Sequence, residues 1–321
     1  MEGRGTVSDM PRDIIIDCDV GIDDALAIML ALGSKELKIR AITTVCGNAE
    51  VEKTSENALR VLEAFDRREI PVAQGHSQPL KRELYTAGYV HGTDGLGDSK
   101  LPKPSLRLDP RHAVDLIIEE SERGDLHLVC IGPLTNLASA LAKAPHIVET
   151  LQDVTIMGGA FGLTPYGFGN VTPVSEFNAY VDPEAARAVF ASGLKLTAVG
   201  LDVTTDPTAV LARDKYEELI KLPSRGAKFL KRISENLVKS WGSFSLHDPM
   251  AVAYLVDPRL LTLREYPVDV ETEGTITRGQ TIADRRPWAE IIEFKGKANV
   301  AVSVNGPRFL EIFEERAIRQ L

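Results

Sequence analysis

The sequence predicts an α/β protein with an open, mainly parallel, Rossmann-like sheet and helices on both faces. Short apolar runs alternate along the chain with segments whose apolar residues recur at helical spacing, and this alternation is typical of parallel sheets. The chain has 321 residues, 44% of them hydrophobic, enough for one large core. We therefore expect a single domain over residues 12–321, preceded by a flexible N-terminal tail over residues 1–11.

The predicted elements follow one another in regular order. The first strand, residues 13–18, contains Ile14, Ile15 and Ile16, and such a continuous apolar run indicates a strand buried on both faces. The other strands are predicted at residues 38–45, 126–131, 154–157 and 196–201. The helices are predicted at residues 22–32, 51–65, 113–123, 134–143 and 183–191.

Two further regions are expected to contribute to a binding site. Residues 202–249 are rich in helical patterns, and we predict that they form a helical cap over the sheet. Residues 75–104 form a long irregular connection that contains His91. Long loops in compact domains are commonly binding loops or lids, so this loop is expected to close over the site.

An acidic cluster lies where the first strand passes into the first helix. Asp17 and Asp19 are two residues apart on a strand, so their side chains point to the same side. Gly21 allows a sharp turn, after which Asp23 and Asp24 fall in the first helical turn, where the helix dipole favours anions. Like charges this close require a counter-ion, so the cluster predicts a cation site.

The ligand types favour calcium as the cation. The cluster offers carboxylate oxygens without a nearby Cys or His pair, a set that suits calcium or magnesium better than zinc. The simplest alternative is a group of helix caps and solvated loop charges. Another is magnesium serving a phosphate, as in the haloacid-dehalogenase phosphatases, where the first Asp of Asp-x-Asp is the nucleophile. Gly21 and the Asp23–Asp24 pair fit that family poorly.

Composition excludes several other classes of protein. The net charge of −9 and a pI near 5.3 argue against nucleic-acid binding. The apolar stretch at residues 25–32 is too short to span a membrane, and residues 1–11 lack the apolar core of a secretory signal, so we expect a cytoplasmic protein. Cys18, Cys46 and Cys130 are expected to be buried and reduced.

Other polar groups follow the carboxyl ends of the predicted strands, where ligands bind in such folds. Asn48 is either a ligand-binding group or a turn residue. The carbonyl of Ile131 could face a cation because a Gly-Pro pair follows it, although a simple strand-to-helix turn fits equally well. Glu176 and Asn178 fall on one side of the chain after a Gly-rich loop that contains Asn170. Such groups suit sugar hydroxyls.

Two histidines are candidates for proton transfer. His247 and Asp248 precede Pro249 at the start of a strongly apolar helix, and Asp248 is also a good helix N-cap. His247 and His91 could each exchange protons near neutral pH, or each could be an ordinary surface or core residue.

The motifs together resemble those of the inosine-uridine preferring nucleoside hydrolases. They agree in order and spacing over nearly the whole chain at residues 17–25, 46–48, 131–136, 157–160, 176–178 and 247–249. The first motif is highly specific, and the others gain weight from their succession. Val20 stands where the family commonly has proline, a change that removes a backbone restraint but no ligand.

The resemblance implies hydrolysis of the N-glycosidic bond of ribonucleosides to ribose and free base, with a tightly held calcium ion. Asp19, Asp24 and Asp248 would bind calcium through carboxylates and Ile131 through its main-chain oxygen, while Asp17 would support the metal site. Asp19 would also be the general base, and His247 would protonate the leaving base. The ribose would be held by Asp23, Asn48, Asn170, Glu176 and Asn178.

Base preference and assembly are further expectations. His91 together with His247 resembles the pyrimidine-preferring members, while Trp241 could stack on either type of base. We therefore expect a preference for uridine, with inosine also accepted, and the family suggests a homodimer or homotetramer. A non-catalytic protein that binds calcium and ribose is the alternative, but it would have lost proton-transfer groups, and Asp19 and His247 are both present.

Overall fold

The computed structural model describes residues 10–288 and 293–321, so residues 1–9 of the predicted tail lie outside the described part. Nine strands form a single sheet. They are β1 (Arg12–Cys18), β2 (Leu37–Thr44), β3 (Val72–Gln74), β4 (Leu126–Cys130), β5 (Leu151–Met157), β6 (Leu196–Val199), β7 (Leu261–Val270), β8 (Thr281–Ala283) and β9 (Gly296–Val304).

Helices connect these strands and cover the sheet. They are α1 (Ile22–Leu32), α2 (Val51–Ala64), α3 (Gly88–His91), α4 (Ala113–Glu122), α5 (Thr135–Lys143), α6 (Ile147–Thr150), α7 (Phe177–Val181), α8 (Pro183–Phe190), α9 (Leu201–Thr204), α10 (Arg213–Leu219), α11 (Arg225–Trp241), α12 (His247–Val256) and α13 (Gly306–Phe313). Short 3-10 turns lie at Pro207–Ala209 and Pro258–Leu260, and a π-helical segment at Glu314–Arg319 follows α13.

The sheet confirms the predicted fold class. Its strand order is β3-β2-β1-β4-β5-β6-β9-β7-β8, and the pairs from β3 through β9 are parallel. Among the strands of the described residues, β7 alone runs antiparallel to its neighbours β9 and β8. Strand order reverses between β1 and β4, and in open α/β sheets ligands bind beside the carboxyl ends of the strands at such a point. The acidic cluster follows β1 directly.

Strand β1 is buried on both faces, as its isoleucines predict. Ile14 and Ile16 belong to one core cluster, which includes residues of α1, α11 and α12. Ile15 points to the opposite cluster, which includes residues of α4, α5 and α8. All three isoleucines are fully buried. Two hydrophobic layers therefore hold β1 and fix the position of the loop that follows it.

The predicted elements agree with the structure within a few residues at each end. Strand β6 stops at Val199, and Leu201 begins α9 instead of ending the strand. The helix-rich region predicted as a cap forms α9, α10 and α11 and leads into α12. The antiparallel strand β7 and its partner β8, together with β3 and β9, were not predicted.

Two other sequence predictions can be compared with the structure. Cys18, Cys46 and Cys130 are free and buried, as expected. Within the described part of the chain, no helix combines the length and apolarity needed to cross a membrane.

Candidate active site

The loop between β1 and α1 folds around the carboxylate of Asp24. Its Oδ1 accepts a hydrogen bond from the backbone N–H of Asp19 at 3.1 Å, and its Oδ2 accepts one from Gly21 N at 2.9 Å. Asn48, in the loop after β2, adds a bond from Nδ2 to Asp24 Oδ2 at 3.1 Å, and its backbone N–H donates to Asp19 Oδ2 at 2.7 Å. Two neighbouring loops thus fix two of the carboxylates.

A further aspartate joins these groups from α12. Oxygen atoms of Asp23, Asp24 and Asp248 all lie within 4.8 Å of one another. Asp19 is not one of these three, but Asn48 bridges it to Asp24, because its backbone N–H binds the carboxylate of Asp19 and its side-chain amide binds that of Asp24. Asp19, Asp24 and Asp248 are buried, and Asp23 is partly exposed.

The electrostatics of the cluster call for a bound cation. Burial, followed by repulsion from neighbouring carboxylates, raises the pKa of Asp19 and of Asp248 well above the ordinary range. The same causes raise the pKa of Asp24 to about 7. The neighbouring groups that shift these three pKa values most are carboxylates and amides. No lysine or arginine of the described residues is among them. An oxygen-ligated divalent cation fits this set of donors.

Two glycines leave room for the carboxylate of Asp19. A Cβ atom added at Gly47 would lie 2.1 Å from Asp19 Oδ2, and one added at Gly132 would lie 2.8 Å from Asp19 Oδ1. Both distances are far below van der Waals contact. The loops after β2 and β4 therefore approach Asp19 from two sides, and only residues without a side chain fit there.

Asp17 lies behind the cluster and is fully buried. Its Oδ1 accepts hydrogen bonds from Thr43 Oγ1 at 2.6 Å and from Asn136 Nδ2 at 2.8 Å. Thr43 is the residue paired with Asp17 across β1 and β2. Burial raises the pKa of Asp17 to about 6. Thr43 and Asn136 were not predicted as site residues, although Asn136 belongs to one of the motifs.

The acidic cluster opens into a cavity of about 400 Å³. The lining brings together sequence-predicted residues from six regions of the chain. They are Asp23, Asn48, His91, Ile131, Asn170, Glu176, Asn178, Trp241, His247 and Asp248. The volume lies within the range of small-molecule sites. Of the residues predicted for the site, Asp17, Asp19 and Asp24 do not line this cavity.

Polar groups on one wall of the cavity are held in fixed orientations. Glu176 caps α7, where its carboxylate accepts from the N–H groups of Asn178 at 2.8 Å, Gly159 at 2.9 Å and Ala179 at 3.2 Å. Asn178 Nδ2 donates to Ile131 O at 3.0 Å, which still leaves that carbonyl one lone pair. Burial raises the pKa of Glu176. These groups can accept hydrogen bonds from the hydroxyls of a polyol and donate hydrogen bonds to them.

The two histidines on the cavity wall are each held through Nδ1. His91 Nδ1 accepts from the backbone N–H of Ile22 at 3.1 Å, while His247 Nδ1 lies 2.8 Å from Thr204 Oγ1. Within the described residues, Nε2 of neither ring forms a hydrogen bond with the protein. Burial lowers the pKa of both imidazoles, and the charge of Asp23 opposes that shift. Thr204 was not predicted from the sequence.

Apolar and aromatic side chains form the outer part of the cavity. Trp241 and Tyr89 line it while remaining 63% and 61% exposed, so they lie at its rim. Phe244 and Leu237 contribute further apolar surface from the helical cap. Asn170 also lines the cavity and is exposed. The outer region can therefore accept a planar ring, while the inner region offers carboxylates and amides.

The family is decided by comparison with known sequences. Residues 14–311 match the inosine-uridine preferring nucleoside hydrolase family. The chain belongs to this family. This membership removes the phosphatase pattern considered from the sequence.

Individual nucleoside hydrolases are similar over most of the chain. The inosine-uridine preferring nucleoside hydrolase of Leishmania major is 41% identical over 86% of this chain and 89% of its own length. The pyrimidine-specific ribonucleoside hydrolase RihA of Photobacterium profundum is 40% identical over 96% of this chain and 99% of its own length.

Solved nucleoside hydrolase structures share the fold. The plant nucleoside hydrolase PpNRh1 superposes with a TM-score of 0.89 at 34% identity, covering 96% of this chain and 99% of that one. The purine-preferring ribonucleoside hydrolase from Gardnerella vaginalis gives 0.87 at 34% identity with the same coverage. This nucleoside hydrolase therefore has the enzyme class that its motifs predicted. The relatives' names span pyrimidine, mixed and purine preferences.

Proposed function

We propose that this nucleoside hydrolase cleaves ribonucleosides with a bound calcium ion, prefers uridine and also accepts inosine. The burial of Asp19, Asp24 and Asp248 beside a cavity that Asp23 and Asp248 line carries the proposal, because three buried like charges need a divalent cation to ionise together. The family match supports the reaction class.

The cation ligands proposed from this arrangement are the carboxylates of Asp19, Asp24 and Asp248 and the carbonyl of Ile131. The closest carboxylate oxygens are those of Asp23, Asp24 and Asp248, and of these we propose that Asp23 holds the ribose. A calcium ion held by these residues would neutralise the cluster and would supply Lewis-acid polarisation to the attacking water. Asp17 supports the proposed cation site, because its hydrogen bonds to Thr43 and Asn136 tie β1 to β2 and α5.

The residues of the chain account for each proton in the reaction. Asp19 takes a proton from the attacking water, whose oxygen forms the new bond to C1′. The N-glycosidic bond breaks, its electron pair goes to the base, and His247 supplies the proton that neutralises the leaving base. Asp23 and Glu176 lie near the sugar and stabilise its developing positive charge. The net change is the addition of one water across the bond.

The residues proposed to contact the sugar all line the same cavity. Asn48, Asn170, Glu176 and Asn178 line the cavity with Asp23, and each offers an amide or carboxylate to a hydroxyl. Asn48 and Glu176 are already oriented by bonds to the protein. Such preorganisation lets the site bind the sugar without first ordering its own side chains.

The proposed base preference depends on the two histidines. His91 and His247 both line the cavity, and each directs a free Nε2 away from its Nδ1 partner. Carbonyl oxygens of a uracil or hypoxanthine ring can accept hydrogen bonds from such groups. Trp241 at the rim can stack on either type of ring. This arrangement favours uridine and admits inosine.

The proposal is tested by ribose release from uridine, inosine, cytidine and adenosine in phosphate-free buffer. We expect the largest kcat/KM for uridine, a substantial value for inosine and smaller values for the other two. Release of free ribose without phosphate identifies hydrolysis. Ribose binding without turnover of any nucleoside would support the non-catalytic calcium- and ribose-binding alternative.

We also propose that residues 12–321 form one hydrolase domain after a tail at residues 1–11, that the enzyme is a homodimer or homotetramer, and that it acts in the cytoplasm. Light scattering of the purified protein tests the assembly. Removal of residues 1–11 tests the domain boundary, with full activity of the shortened chain as the expected result.

A further inference from the structure

Thr204 is a buried hydroxyl that meets the proposed leaving-group acid. It is fully buried, and its Oγ1 lies 2.8 Å from Nδ1 of His247. No other hydrogen bond of this hydroxyl occurs among the described residues. The contact joins residues 43 positions apart in the chain, so it depends on how α9 and α12 are placed.

The short helix that carries Thr204 is held firmly by its surroundings. The carboxylate of Asp202 accepts from the backbone N–H groups of Phe161 at 2.8 Å and Leu163 at 2.6 Å. Thr164 Oγ1 donates to the carbonyl of Asp202 at 2.6 Å. Asp202 is itself 1% exposed. The hydroxyl of Thr204 therefore has a fixed position from which it can orient a neighbouring ring.

The Thr204 contact determines which edge of His247 faces the cavity. An imidazole can rotate about its side-chain bonds, and either nitrogen can then point towards a ligand. With Nδ1 bound to Thr204, Nε2 is the nitrogen left for the cavity that His247 lines. In His91, the backbone N–H of Ile22 binds Nδ1, so Nε2 is again the nitrogen left for the cavity.

We infer that Thr204 is a positioning residue for this reaction, holding the His247 ring so that Nε2 faces the leaving base. The inference rests on the proposed function, in which His247 protonates that base. Thr204 contacts His247 and does not line the cavity, so its effect on turnover must pass through the orientation of the ring.

The test compares two leaving groups in Thr204→Val and Thr204→Ser. Valine keeps the size of the side chain but removes the hydroxyl, whereas serine retains the hydroxyl. Uridine needs protonation of its base, and 4-nitrophenyl riboside does not, because nitrophenolate departs as an anion. We expect Thr204→Val to lower kcat for uridine about tenfold or more, to leave kcat for the nitrophenyl riboside within about twofold, and to change KM little.

Thr205→Val is the matched control. Thr205 is the next residue, and its hydroxyl donates to Tyr166 O at 3.0 Å and Leu201 O at 2.7 Å, away from His247. We expect this variant to keep the wild-type ratio of uridine to nitrophenyl riboside turnover. Thr204→Ser is expected to restore most of the uridine activity lost in Thr204→Val.

Two results would overturn the inference alone. One is Thr204→Val with an unchanged kcat for uridine. The other is an equal loss for both substrates, which would assign Thr204 a general structural role. Failure of the wild-type chain to release ribose from uridine would instead overturn the proposed function on which the inference rests.

Discussion

At the scale of single residues, the site depends on carboxylates that the fold confines to fixed positions. Asp19 is 1% exposed and accepts a hydrogen bond from the backbone of Asn48. Burial and the nearby charge of Asp24 raise its pKa. A bound cation would oppose both causes and keep Asp19 in the ionised form that proton abstraction from water requires.

Removal of the proposed base and acid should affect different properties. Asp19→Ala is expected to lower kcat by a factor of about 10³ or more, because it removes a general base and a cation ligand. His247→Ala should lower kcat for uridine while calcium affinity stays within about twofold. Ribose-release kinetics and calcium titration measure the two effects. Full activity in the Asp19 variant would remove its assignment as the base.

The close approach of Gly47 to Asp19 allows a steric test of whether the position of the Asp19 carboxylate matters for activity. Gly47→Ala places a Cβ 2.1 Å from Asp19 Oδ2, so the carboxylate must move, and we expect at least a tenfold loss of kcat/KM. Gly88→Ala is the matched control, because no atom lies within 4 Å of the added Cβ. Activity is measured with uridine for both variants. Equal activities would show that the carboxylate tolerates displacement.

Spacing along the chain predicted the acidic residues but not their partners. Asp17 and Asp19 are two residues apart on one strand, so their common direction follows from strand geometry. Thr43 meets Asp17 only through the register between β1 and β2. Thr204 meets His247 only through the packing of α9 near α12. Such partners depend on tertiary placement, which a local pattern does not contain.

At the scale of elements, the loop after α3 is held by helices on two sides. Asn57 of α2 donates from Nδ2 to Asp94 O at 3.0 Å and to Val20 O at 3.2 Å, joining this loop to the one between β1 and α1. Asn236 of α11 donates to Gly97 O at 3.0 Å. The loop was expected to close over the site, and these bonds hold the part that follows His91.

Removal of the Asn57 amide should destabilise both the loop after α3 and the loop between β1 and α1. Asn57 is fully buried, so Asn57→Leu leaves the buried carbonyl of Val20 and the partly buried carbonyl of Asp94 without this donor, and we expect a loss of about 1–3 kcal/mol in the free energy of unfolding. KM for uridine should rise as His91 becomes less fixed. Denaturant unfolding and steady-state kinetics measure these effects.

Glu56→Gln is the control for that substitution. Glu56 forms a partly exposed ion pair with Arg60 at 2.9 Å, and such pairs contribute little. It should change stability by less than about 1 kcal/mol. A variant at Asn57 that matched this control in both stability and KM would contradict the role of the amide.

Elements with strong periodicity were predictable, and the far edge of the sheet was not. Helix α1 was predicted with its observed bounds, because its apolar residues recur at helical spacing next to a buried strand. Strand β7 carries a mixture of exposed and buried residues without a clean alternation. Its antiparallel pairing with β9 depends on residues 28 to 43 positions away, so no local pattern specifies it.

At the scale of the whole molecule, folding confines negative charge at the reversal point of the sheet. Asp17 and Asp24 have pKa values raised to about 6 and about 7, from an ordinary 3.8. Without a cation, the folded chain binds these protons more tightly than the unfolded chain. Their contribution to stability is therefore present at low pH and is lost as the pH rises from about 4 to about 7.

Calcium should reverse this loss, so its effect on stability should depend on pH. The ligands must be ionised to bind calcium, and the calcium-induced rise in Tm is therefore expected to be small at pH 5 and to increase up to pH 8. Thermal unfolding in chelator and in saturating calcium across this range gives the difference. A rise in Tm that is constant with pH, or larger at pH 5, would contradict the coupling of the buried carboxylates to the cation.

The central claim, that one calcium ion in the acidic cluster is required for ribonucleoside hydrolysis, is tested most directly by calcium titration of chelator-treated enzyme. Bound calcium and ribose release from uridine are measured on the same samples. We predict that release is abolished by the chelator and recovers in proportion to bound calcium, up to one ion per chain. Undiminished release after complete calcium removal, or full calcium binding without any release, would contradict the account.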